Sequence, residues 1–72
     1  MAKDLRRALS NRVRALRARR KWTQQELAEA ADLDYKSVQR IEAKQPKYHA
    51  RLDTLQKLAE AFGMTLNEFL RL

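Results

Sequence analysis

The stretch Thr23 to Glu42, TQQELAEAADLDYKSVQRIE, reads as two short helices meeting at a sharp turn. Counted from Gln24, apolar residues fall at the third, fourth, seventh and ninth steps, at Leu27, Ala28, Ala31 and Leu33, and the same buried face continues at Val38 and Ile41. That spacing suits helices and leaves no room for a strand. Small Ala28 lets two helices approach closely. Thr23 is followed three residues later by Glu26, the pattern of a capping box, and Asp34 stands where it can cap the second helix. Two capped helices of about eight residues each, about three residues apart, make one compact supersecondary unit.

The second of these helices, expected over 35–43, places Val38 and Ile41 on one side of a wheel turned by about 100° per residue. Tyr35, Lys36, Gln39 and Arg40 then fall on the other side. Lys and Arg donate to guanine O6 and N7, and Gln pairs with adenine N6 and N7. A tyrosine ring suits a thymine methyl group or the sugar-phosphate backbone. Exposed helix faces often carry such residues for solvation alone, so the charge map has to decide. The chain carries a net charge of +7, and that charge is segregated: residues 1–21 hold nine Lys or Arg against the single Asp4. Residues 22–33 carry only acids, and the excess of base returns over 34–51. An arginine run of this size, including Arg17, Arg19 and Arg20, points to an anionic partner, and its distribution is the footprint expected for phosphate.

Working outward, the first helix is expected from about Lys3 to Arg20, with Leu5, Leu9, Val13 and Leu16 as its apolar stripe. Trp22, just before the second helix, suits a lid on the core better than a base-stacking group. After Ala43, the segment KQPKYHAR holds the only proline, Pro46, and lacks apolar periodicity, so it is a loop. Leu52, Leu55, Leu58, Ala59 and Phe62 mark a fourth helix, which Gly63 ends in a left-handed conformation. Thr65 with Glu68 forms a second capping box and opens a last helix with Leu66, Phe69 and Leu70 on one face. The whole is a single all-α domain of five helices spanning residues 1–72.

RVRALRARR, TQQELA, SVQRIE, LDTLQKLAEAF and TLNEFL, taken together, resemble the lambda repressor and Cro family of helix-turn-helix proteins, often called Xre-like, from about Arg12 to Leu70. The resemblance implies a compact lambda-repressor-like domain with its helix-turn-helix at 23–43. It implies base reading by Tyr35, Lys36, Gln39 and Arg40. By the same resemblance Gln24, with Thr23, holds a phosphate at the positive end of the second helix, and the following loop clamps the DNA backbone through Lys44, Lys47, Tyr48 and Arg51. Arg17 and Glu42 match a structural salt bridge between the first and third helices. Two positions depart from the family pattern. Asp32 stands where the turn carries glycine, and aspartate tolerates the left-handed region better than most residues. Ala43 stands where glycine follows the recognition helix, which suggests that this helix runs on by part of a turn.

Composition excludes several other classes. With 72 residues and no cysteine, the chain forms one small domain without disulfide or thiolate staples. Its single histidine, His49, is expected in an exposed loop, and no catalytic triad, metal cluster or phosphate loop can be assembled. We expect no enzyme, cofactor or metal. No apolar run reaches the roughly 18 residues of a membrane span and no secretory signal is evident, so a cytoplasmic, nucleoid-associated protein is expected. The well-capped remainder of the chain argues against a membrane-active cationic helix over residues 3–20. The leading expectation is a sequence-specific regulator of double-stranded DNA, a repressor acting as a homodimer. One short helix reads few base pairs, and two related by symmetry read half-sites about 34 Å apart. With no room for a separate dimerisation domain, pairing is expected at Leu66, Leu70 and Leu72. The alternative is an antitoxin or interaction module that binds a partner protein such as a toxin and uses DNA binding for autoregulation.

Overall fold

The computed structural model describes residues 2–43 and 49–72, with side chains from Leu5 onward. It is all-helical: α1 (Ala2–Arg20), α2 (Gln24–Ala31), α3 (Tyr35–Ile41), α4 (Leu52–Ala61) and α5 (Leu66–Phe69). Leu27, Ala28 and Ala31 of α2 and Val38 and Ile41 of α3 enter one core with Val13, Leu16, Leu58, Ala59, Phe62 and Phe69. Ala28 is 1% exposed, so its small side chain sits at a close helix approach. Trp22 stacks on Phe62 at 5.8 Å between ring centroids, and Phe62 stacks on Phe69 at 6.2 Å. The Arg20 guanidinium covers the outer face of Trp22 at 5.2 Å, a cation-π contact that completes the lid.

Both capping boxes form. The Thr23 hydroxyl accepts from the Glu26 N–H at 3.1 Å while the Thr23 N–H donates to the Glu26 carboxylate at 2.7 Å, and Thr65 and Glu68 repeat the arrangement. Asp32 ends α2 in the left-handed region at φ 56°, ψ 48°. The Leu33 N–H then reaches back to the Ala28 carbonyl at 2.8 Å, closing the helix end and turning the half-buried Leu33 onto the core. Gly63 takes the same hand at φ 68° after α4.

Three sequence expectations are corrected. Asp34 occupies the N-cap of α3 but makes no side-chain capping bond, and its backbone carbonyl receives the Ser37 and Val38 N–H groups instead. Leu5 is 61% and Leu52 68% exposed: each is the N-terminal member of its stripe and stays largely open to solvent. The third correction concerns α3, which does not run on through Ala43 but ends at Ile41 with Glu42 as its C-cap. The reason lies across the core, where the buried Ser10 hydroxyl donates to the Ala43 carbonyl at 3.2 Å. An α1 side chain thereby satisfies a carbonyl that a longer helix or a glycine turn would otherwise have to accommodate. Beyond these, arginines of the first helix other than Arg17 also hold the fold. Arg12 donates to the Phe69 and Glu68 carbonyls at 3.0 and 2.8 Å, and Arg20 to the Phe62 carbonyl at 2.6 Å. Two arginines thus bond carbonyls at the C-terminal ends of α5 and α4, where the helix dipole is negative.

Asp32 and Gly63 share one backbone conformation with opposite residue choices, so substitutions there have opposite signs. Asp32→Gly relieves left-handed strain and raises stability by up to about 1 kcal/mol, while Gly63→Ala introduces it and costs about 1–2 kcal/mol. Urea unfolding midpoints test both. The Thr65 N–H and hydroxyl, with Arg71 nearby, hold the Glu68 carboxyl below its ordinary pKa. Its stabilising contribution is therefore present above the ordinary carboxylate pKa and is lost as pH falls through the depressed value. Glu68→Gln flattens that acid-side decline in melting temperature, and an unchanged decline contradicts the assignment.

Candidate nucleic-acid interface

The turn at Asp32 and the core contacts of Val38 and Ile41 fix which side of α3 faces solvent. Val38 is fully buried and Ile41 3% exposed, whereas Tyr35 is 42% exposed. Lys36, Gln39 and Arg40 are exposed beside it. The four residues expected to read bases thus lie on one outward face, offering ammonium, guanidinium and amide donors, an amide acceptor and one aromatic ring.

This face is held from behind by a buried ionic cluster. Arg17 of α1 meets both carboxylate oxygens of Glu42 through Nε and Nη2, each at 2.8 Å, while its Nη1 donates to the Trp22 carbonyl at 2.8 Å. The Glu42 side chain is 1% and that of Arg17 22% exposed. Hydrogen bonding to Glu42 raises the Arg17 pKa above its ordinary value despite partial burial, which acts the other way. Gln24 Nε2 adds a third donor to Glu42 at 3.2 Å. The side chain expected to hold phosphate therefore already bonds to the C-cap of α3. Thr23 is exposed, and its N–H and hydroxyl oxygen are engaged in the capping box, which leaves the hydroxyl proton to donate outward. Arg51 is exposed at the start of α4, with Asp53 at 3.5 Å. Lys44, Lys47 and Tyr48 lie outside the described residues.

The residues expected to pair two copies divide. Leu66 packs partly against the core, while Leu70 and Leu72 are 37% and 52% exposed. The latter two line an apolar groove of about 410 Å³ with Leu5, Leu9, Ile41 and Leu55, and with Arg6 and His49 at its edge. His49 is exposed, as expected. Among the described residues no group of His, Cys, Asp or Glu is placed to hold a metal. Sequence reasoning missed Ser10, Arg12, Arg20 and the Gln24–Glu42 bond. Ser10 carried a signal, being a small polar residue three positions before buried Val13 on the inward side of α1. The two capping arginines carried none, because their partners are backbone atoms more than forty residues away.

A family model described as helix-turn-helix matches residues 13–69, the segment from the middle of α1 through α5. No curated protein and no solved structure matches the chain. The ionic cluster yields a double-mutant test. Arg17→Met alone strands the Glu42 carboxylate and costs about 3 kcal/mol, while adding Glu42→Leu recovers a substantial part of that loss. Additive losses in chemical unfolding would show that the two side chains are not coupled.

Proposed function

The chain belongs to the lambda-repressor and Cro type of helix-turn-helix DNA-binding proteins, and from that membership we propose that it is a sequence-specific transcriptional repressor. It reads an operator through Tyr35, Lys36, Gln39 and Arg40, with Thr23, Gln24 and Arg51 on phosphates and Lys44, Lys47 and Tyr48 assigned the same role from the family pattern. The observation that carries this reading is the division of α3: an outward polar face backed by an inward face fixed to the core and to Arg17. A helix held this way enters a major groove in one orientation, which direct readout requires. No described helix is long and apolar enough to cross a membrane, and we assign the protein to the cytoplasm at the nucleoid. No catalytic role is assigned.

Two copies bind together on this reading, because a single short α3 spans too few base pairs for a unique site. Leu70 and Leu72, at the rim of the apolar groove, are the pairing residues. The same groove favours one other reading, in which it receives a segment of a partner protein such as a toxin and DNA binding serves autoregulation.

Selection from a randomised duplex pool tests base reading. Arg40→Ala relaxes preference at one or two positions and costs about 1–3 kcal/mol on the best site; an unchanged preference removes Arg40 from the reading face. Leu70→Glu with Leu72→Glu tests pairing. Homodimeric binding predicts that half-site affinity survives while cooperative binding to the full site is lost, and unaltered full-site binding favours the partner-protein reading.

A further inference from the structure

The basic residues of α1 separate by side. Arg12 and Arg20 are committed to carbonyls of α5 and α4, and Arg17 to Glu42. At about 100° per residue, Arg7 and Arg14 lie about 100–120° around the helix from buried Val13. Ser10 and Arg17 lie on that same flank, and their side chains bond Ala43 and Glu42 at the end of α3. Arg12, Arg19 and Leu5 occupy the opposite flank, toward α5 and the apolar groove. Arg7 is exposed and Arg14 partly so, and Arg14 Nη2 donates to the Asn11 side chain beside it.

Resting on the DNA-binding reading above, we propose that Arg7 and Arg14 form a phosphate-contact line on α1 that extends the interface beyond the recognition helix. The strip is tied to the recognition region by bonds: Gln24 at the start of α2 donates to Glu42, Arg17 donates to the same carboxylate, and Arg14 and Arg7 follow Arg17 along that flank of α1. Seven residues of helix separate the two arginines by about 10 Å, about three axial phosphate steps of one strand. Between them on this flank Ser10 is buried against Ala43 and Asn11 is exposed, so the strip offers charge and a side-chain amide without apolar anchors. That chemistry suits a phosphodiester backbone and not the apolar side chains of a protein partner, for which the groove lies on the other flank.

The test compares two charge-matched double variants of the full chain, Arg7→Gln/Arg14→Gln and Arg19→Gln/Arg71→Gln, on the duplex selected by the wild type. Affinity is titrated over a salt series. The α1 line predicts that the first pair lowers the magnitude of the log affinity against log salt slope by about 1.8, about 0.9 per phosphate. Base preference and melting temperature stay unchanged, and the second pair leaves the slope in place. Wild-type binding with an unaltered slope in the first pair removes the α1 contact and leaves the DNA reading standing. Equal losses in both pairs also overturn it, by assigning the effect to diffuse charge. Failure of the wild type to bind any duplex sinks the DNA reading, and this inference with it.

Discussion

A buried carboxylate at the C-terminal end of a helix is doubly unfavourable, since it is desolvated and faces the negative end of the dipole. Glu42 occupies that position on α3, and it is tolerated because three donors from two other helices converge on it: Arg17 Nε and Nη2 and Gln24 Nε2. The planar guanidinium matches both oxygens at once, so the contact fixes direction as well as distance. Its net worth in stability is small against an apolar replacement, as for most buried pairs. Its consequence is geometric: α1, the start of α2 and the end of α3 are held in one arrangement, and the outward side of α3 is thereby aimed.

The remainder of the domain is assembled around α1 by similar means. A chain of this size buries only about 60% of the surface it would expose unfolded, and there is no cysteine to staple it. Arginine side chains on α1 supply part of the missing connectivity by reaching the last carbonyls of α4 and α5, and Ser10 does the same for Ala43. The aromatic series Trp22, Phe62 and Phe69 runs through the space these contacts enclose. Basic residues that look redundant in the sequence are therefore divided between holding the fold and presenting charge.

Local chemistry was legible in advance, and long-range chemistry was not. The capping boxes at Thr23 and Thr65 and the left-handed turn at Gly63 are set by residues within a few positions of one another, so sequence spacing was sufficient, whereas the turn at Asp32 came from the family resemblance. Leu5 and Leu52 continued their stripes in register but stay largely exposed, which periodicity cannot reveal. Asp34 was correctly placed at a cap position, yet position alone does not orient a side chain. Ala43 misled because the compensating group, Ser10, is distant in sequence. For the interface, the wheel assigned Tyr35, Lys36, Gln39 and Arg40 to one face and their exposure agrees, whereas the tie from Gln24 to Glu42 required the packing of α2 on α3.

The central claim is that the outward face of α3, held by the Arg17–Glu42 cluster, is what meets DNA. Amide and side-chain chemical-shift mapping of the labelled protein on its selected duplex tests this most directly. The account predicts the largest changes at Tyr35, Lys36, Gln39 and Arg40, with a second group at Thr23 and Gln24, and little change at Leu70 and Leu72 within a single half-site complex. Changes concentrated around the apolar groove, with α3 undisturbed, would contradict it.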